Sequence, residues 1–273
     1  MTRGGTRLRV NGEDSRQVDA TDRGLQYGDG LFETIAVVGG KPRLLAAHLE
    51  RLLRGCARLD IGPVAESLVE EDIAAVSGPG DSVVKLIVTR GPSGRGYRPP
   101  RGCSPTRIAA GFDVEPGAFA SALPGLRART CRTRLGRNPA LAGLKHLCRL
   151  EQVIARGEWQ DDAVGEGLML DEGGHVVCGT QSNLFVVKDG RLTTPSVALA
   201  GVEGVMRRTV LGWAGSSGID VAVQDLQATD FDEANEVFVT NALWGARAVL
   251  ELDGRPVRPG EVAWRFMQWL GEA

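Results

Sequence analysis

Lysine is scarce in this chain: four lysines stand against 28 arginines among 273 residues. One of the four, Lys145, lies inside the apolar run ALAGLKHL at residues 140–147. Arginine keeps its proton, whereas a desolvated lysine can release it and become an amine nucleophile. The chemistry that would need such a residue is Schiff-base formation with a carbonyl. The same position admits a plainer reading, a lysine stem at a helix start with its ammonium snorkelling to water. The other lysines have ordinary settings. Lys41 follows a Gly-Gly turn, Lys188 precedes Asp189-Gly190, and Lys85 sits in the strand-like run SVVKLIVT.

Two further stretches could bind anions. Residues 90–98, RGPSGRGYR, form a glycine-rich loop with three arginines and a tyrosine. An arginine fork grips a carboxylate through two parallel hydrogen bonds, so this loop is read either as a carboxylate grip or as a solvated surface loop. Residues 200–208 run from a loop into a helix whose first amides could seat a phosphate or simply be capped. The run GDGLFE at residues 28–33 lacks the third glycine of a dinucleotide-binding turn, and no Walker A pattern is present.

These residues need a scaffold. A chain of this length supports one large or two medium domains, each with its own core. Hydrophobic content of 42% with 24% charged residues is that of a globular protein, and a net charge of −2 recruits neither nucleic acid nor an anionic membrane. No transmembrane run or signal-peptide core is visible. Five cysteines at irregular spacing, without a CxxC pair, argue against a zinc site or a disulfide framework and for the cytoplasm. Periodicity predicts strands at residues 8–10, 31–38, 82–89, 106–112 and 128–133, and helices at 45–59 and 64–76. A helix is also expected over about residues 144–159. Hairpins at 167–177 and 183–192, a helix at 205–216, a strand at 236–240 and a helix at 260–270 follow. The pattern is α+β or mixed α/β. The expected division is a smaller domain at 1–113, a linker at 114–126 and a larger domain at 127–273.

Seven segments, in order and without large gaps, carry a resemblance. They are DRGLQYGDGLFET at 22–34, HLERL at 48–52, TRGPSGRGY at 89–97, LGRNPALAGLKHLCRLEQ at 135–152, SNLF at 182–185, GVEGVMR at 201–207 and VTNAL at 239–243. The chain resembles the fold-type IV pyridoxal-phosphate enzymes, the branched-chain and D-amino acid aminotransferase superfamily. Within it the loop at 89–97 and the segment around Lys145 are similar to the aminodeoxychorismate lyase branch. The resemblance implies a two-domain enzyme with its site at the domain interface, assembled as a homodimer and acting on aminodeoxychorismate. A loop of the second protomer would complete the site. It implies that Lys145 holds the pyridoxal 5'-phosphate aldehyde and then serves as acid and base. Arg51, Asn183, the amides of Val205 and Met206, and Asn241 with Ala242 would bind the cofactor. Tyr27, Arg90, Arg95, Tyr97 and Arg137 would line the substrate pocket.

Two positions depart from the family pattern. A glutamate that keeps the pyridine nitrogen protonated is usual where this chain has Cys178, and an asparagine is usual where it has Cys148. A neutral thiol is a weak donor and cannot hold a pyridinium. Transamination drains carbanion charge into the protonated ring and should suffer from this loss. Elimination of an enolpyruvyl group from an aminated cyclohexadiene is helped by leaving-group loss and aromatisation, so a lyase tolerates Cys178 better. A D-amino acid, branched-chain or amine transaminase on the same fold is the alternative enzyme. A cofactor-binding homologue without chemistry is the alternative of another class.

Overall fold

The computed structural model describes residues 6–115, 117–119 and 125–272. The chain divides into two compact units, Met1–Phe119 with Lys145–Cys148, and Ala120–Leu144 with Arg149–Ala273. The expected linker at 114–126 falls partly on residues 116 and 120–124, which lie outside the described residues.

The first unit contains strands β1 (Arg7–Val10), β2 (Glu13–Asp14), β3 (Gly30–Val38), β4 (Lys41–Pro42), β5 (Ser82–Thr89) and β6 (Thr106–Asp113). Helices are α1 (Arg23–Tyr27), α2 (Leu45–Arg58) and α3 (Glu66–Val76). The strands form one antiparallel sheet in the order β2-β1-β6-β5-β3-β4. Alternation along β3 sends Leu31, Glu33 and Ile35 to one buried face. A carboxylate among apolar neighbours must be paired to be kept there, and its partners come from α2. On that helix His48, Leu49, Arg51, Leu52 and Cys56 are buried together, one face at helical spacing.

The second unit contains β7 (Leu126–Leu135), α4 (Leu150–Arg156), β8 (Val164–Asp171), β9 (Val176–Gly179), β10 (Asn183–Lys188) and β11 (Arg191–Thr194). It continues with α5 (Val205–Ser216), β12 (Asp220–Val223), β13 (Glu236–Asn241), β14 (Gly245–Leu252), β15 (Arg255–Pro256) and α6 (Val262–Glu272). Nine strands make a mixed sheet ordered β12-β11-β10-β13-β14-β7-β8-β9, with β15 on β14. The pairs β11·β12, β14·β7 and β7·β8 are parallel. One face packs Leu168, Leu170, Leu184, Val186, Val237, Val239 and Val249 into a core. On the other face Phe185 and Phe238 stack at 4.9 Å. Burial on both sides explains why β10 and β13 read as nearly unbroken apolar runs.

One expected helix is corrected. Residues 144–149 are not helical, and α4 begins only at Leu150. Gly143 takes a φ of +80°, which interrupts helical geometry. The chain then runs extended beside β3, where Phe32 N–H donates to Lys145 O (2.9 Å) and Leu147 N–H donates to Gly30 O (3.0 Å). Strand pairing, not helix periodicity, therefore sets residues 145–147, while the Leu144 amide closes a local turn on Leu141 O. Strand β14 had no sequence expectation, because GARAVLEL alternates weakly around Arg247.

Candidate active site

In the first unit Lys145 sits on this short extended segment with its Nζ 4.3 Å from the centre of the Phe32 ring. The Lys85 Nζ is 5.5 Å from the same ring. Glu33, adjacent to Phe32, anchors a buried network. Arg51 Nε donates to Glu33 Oε1 (2.8 Å), Arg51 Nη2 donates to Oε2, and His48 Nδ1 lies 2.6 Å from Oε2. Burial alone would raise the Glu33 carboxyl, but the Arg51 charge and the hydrogen bonds from His48 and Arg51 outweigh it and hold it at about 2. Burial pushes the His48 imidazole down, against the pull of Glu33. A carboxylate only accepts, so neutral His48 carries its proton on Nδ1. Arg51 is thereby a fixed cation, its orientation set by a two-point pair.

Tyr27 ends α1, and its hydroxyl accepts the Gly96 N–H at 3.3 Å. Its ring meets Tyr97 edge-on at 5.4 Å. Tyr97 is 84% exposed, and Arg95 is exposed beside it. No hydrogen bond or ion pair engages the Arg95 side chain among the described residues. Arg90 differs. Its guanidinium is buried, bound to both Asp29 oxygens (2.7 and 3.0 Å) and to the carbonyls of Leu59 and Asp60. With Nε and both terminal nitrogens occupied, Arg90 braces the fold and is withdrawn as a substrate ligand. Cys148, exposed, directs its thiol to the carbonyls of Tyr27 and Gly28.

In the second unit α5 begins at Val205, after Gly204. Gly204 caps the helix without a side-chain hydrogen bond, leaving the first-turn amides unclaimed by any capping side chain. Asn183, first residue of β10, donates from Nδ2 to Val202 O at 2.9 Å. A Cβ on Gly204 would come within 2.0 Å of Asn183 Oδ1, so only glycine fits there. Gly143 holds the same loop, donating to Gly201 O and accepting from Glu203 N–H, both at 3.0 Å. Asn241 closes β13, its Oδ1 accepting the amides of Leu243 and Trp244 (3.0 Å each) and shaping the turn that presents Ala242.

Cys178 on β9 is buried with Cys131, Leu135, Trp159, Met169 and Ala200. Burial first, and Glu166 second, push its thiol up to about 12, so it is neutral. Arg137 donates to Asp171 (2.8 and 2.7 Å) and its Nη2 lies 2.8 Å from His175 Nδ1. That ties it to the β8–β9 hairpin through Nε and Nη2, with the side chain still partly exposed. Sequence reasoning missed Glu33, His48, Arg23 and Glu166. His48 and Arg51 at i, i+3 opposite an inward-facing Glu33 was a readable signal. Glu166 was not, since its carboxylate accepts from Gly167, Thr180 and Ser182 across a turn.

Residues 30–252 match the class IV aminotransferase family. The chain is 36% identical over 241 residues to an aminodeoxychorismate lyase of Vibrio harveyi, covering 88% of this chain and 89% of that protein. The crystal structure of a 4-amino-4-deoxychorismate lyase from Pseudomonas aeruginosa superposes with a TM-score of 0.90 at 44% identity, covering 97% of this chain and 98% of the other. A branched-chain amino acid aminotransferase from Escherichia coli superposes at 0.83 with 26% identity, covering 96% and 91%. With its lysine, its fixed arginine and its uncapped helix start held on this mixed α/β fold, the chain belongs to the class IV aminotransferases.

Proposed function

We infer that this chain is a pyridoxal-phosphate-dependent lyase that converts 4-amino-4-deoxychorismate to 4-aminobenzoate and pyruvate. The observation that carries the reading is the likeness, over nearly the whole chain, to lyases of two bacteria. The residues fit the cofactor. An aldehyde calls for a lysine amine, which Lys145 offers. A phosphate calls for amide donors and a cation, which the α5 start, the Asn241–Ala242 turn and Arg51 offer. The glycine at 204, where a Cβ would strike Asn183, keeps that seat open to an anion.

When bound, the cofactor supplies an electron sink for charge developing at the carbon that bears the substrate amine. Lys145 would hold the cofactor aldehyde, and its amine, once free, would take the C4 proton of the substrate. The C3–oxygen bond breaks with its electron pair on the departing enolpyruvate, which is protonated and tautomerises to pyruvate. The ring left behind is aromatic, and that gain drives the step. Arg95, without a side-chain partner among the described residues, and Tyr97 grip the substrate carboxylates, while Tyr27 lines the pocket beside them. Neutral Cys178 is compatible with this elimination and ill suited to transamination.

We assign the enzyme to the cytoplasm, as a homodimer on the route to folate. All five cysteines are free thiols, as a reducing compartment requires. Leu150, Val153 and Ile154 are exposed on one face of α4, an apolar stripe suited to a second copy. Light scattering after gel filtration would test the dimer. The activity is tested by following 4-aminobenzoate fluorescence from aminodeoxychorismate made in situ, with wild type and Lys145→Ala in parallel. Product from wild type alone supports both reaction and lysine; none from cofactor-loaded wild type sinks the lyase reading.

A further inference from the structure

Arg23 has no part in the chemistry above, yet its side chain is only 4% exposed. Its Nε donates to Asp29 Oδ2 (2.8 Å), Nη1 to Gly96 O (2.9 Å) and Nη2 to Tyr97 O (3.0 Å). Nη1 also reaches Ser93 Oγ at 3.4 Å, and the guanidinium carbon lies 4.8 Å from the centre of the Tyr27 ring. Asp29 is held from its other side by Arg90, which is itself anchored on carbonyls at the end of α2. A continuous tether thus runs from α2 through Arg90, Asp29 and Arg23 to the backbone of residues 96 and 97.

Besides this tether, the loop is held by the Tyr27 hydroxyl on the Gly96 N–H and by the edge contact of the Tyr27 and Tyr97 rings. Residues 94–101 are exposed, Gly96 takes a φ of +104°, and the loop carries the charges of Arg95, Arg98 and Arg101. We propose that Arg23 is the positioning residue that fixes the Gly96–Tyr97 backbone and thereby aims Arg95 and Tyr97 at the substrate carboxylates. The proposal rests on the function assigned above to those two residues. Only a planar fork can serve a carboxylate and two carbonyls at once; an ammonium at this site would drop at least one of them.

The test is Arg23→Lys, with Arg23→Gln as a second variant, each in cofactor-loaded enzyme whose circular dichroism matches wild type. Trypsin reads the loop directly. It can cut Arg95–Gly96, beside the tether, and Arg101–Gly102, beyond it, while Pro99 protects Arg98. The expected result is cleavage at Arg95–Gly96 accelerated about tenfold or more relative to Arg101–Gly102. KM for aminodeoxychorismate should rise about tenfold or more while kcat changes only a few-fold, as loss of a charge-assisted grip implies. Wild-type cleavage rates in the folded variants would overturn the proposal. Faster cleavage with unchanged KM would also overturn it, leaving the tether merely structural. If wild type proves inactive on aminodeoxychorismate, the functional reading fails while the cleavage ratio still decides whether Arg23 holds the loop.

Discussion

Replacing Glu33 by glutamine removes the buried negative charge that Arg51 and His48 both bind, and the structure sets the size of the effect. The carboxyl is 1% exposed and held at about 2, against an ordinary 4.5. At about 1.4 kcal/mol per pH unit, that difference is about 3 kcal/mol of stability. Independently, breaking a buried ion pair by neutralising one partner costs roughly 3–5 kcal/mol, because the other charge stays buried. A carboxyl depressed in the fold stabilises it above the unfolded value and loses that contribution as pH falls. The Glu33 contribution is therefore complete above about 4.5 and fades toward about 2. His48, also depressed, begins to weaken the fold earlier, as pH drops below 6.5, because the unfolded chain takes up the proton first. Urea unfolding followed by far-UV circular dichroism, at fixed saturating cofactor, should show Glu33→Gln losing about 3 kcal/mol at pH 7. The difference from wild type should shrink between pH 4.5 and 2. Any separate transition of the second unit serves as an internal reference. A loss below about 1 kcal/mol at pH 7, or a difference that does not shrink in acid, would refute the assignment of Glu33 as the ionised anchor.

Lys145→Ala should cut 4-aminobenzoate formation by about a thousandfold or more and abolish covalent retention of the cofactor through denaturing gel filtration. Cys178→Glu should raise any side transaminase activity relative to lyase activity, measured as keto-acid formation against 4-aminobenzoate; a flat ratio would sink the account of Cys178. Gly204→Ala drives a Cβ to within 2.0 Å of Asn183 Oδ1. An overpacking cost of roughly 1–3 kcal/mol should weaken cofactor binding about 10–100-fold by absorbance titration, and Asn183→Ala in the same chain should recover part of it. Arg137→Ala should leave KM for aminodeoxychorismate within about twofold while lowering stability by about 1 kcal/mol, since its pair with Asp171 is partly exposed. A KM increase of tenfold would place Arg137 in the substrate site.

Legibility in the sequence followed physical range. Strand β5 and helix α5 were bounded correctly, since an apolar run ended by Thr89 and a glycine followed by an apolar face are local signals. The segment around Lys145 was expected to be helical, but α4 begins only at Leu150. What sets residues 145–147 is hydrogen bonding to β3, more than a hundred residues away in the chain. The same limit applied to the site. Lys145 stood out by type, and the α5 start by its glycine, without any knowledge of partners. Arg90 and Arg137 looked like free carboxylate ligands because a sequence does not show that Asp29 and Asp171 already occupy them.

Those engaged arginines give the scarcity of lysine a physical meaning. Arg23 and Arg90 share Asp29, Arg51 grips Glu33, and Arg137 grips Asp171. In each case the guanidinium makes more than one bond in a fixed plane, which an ammonium cannot reproduce. Arg23, Arg90 and Arg137 also reach backbone or a second side chain, so the charge pair doubles as a brace between loops. A fold braced this way has little room for lysine in its interior. Arginine would fail at position 145 for the converse reason, since a group that keeps its proton can neither bind a carbonyl carbon nor take a proton from one. The composition therefore separates two jobs that are often pooled as positive charge. Arginine here sets geometry, and on the proposed function Lys145 stands where a proton must leave.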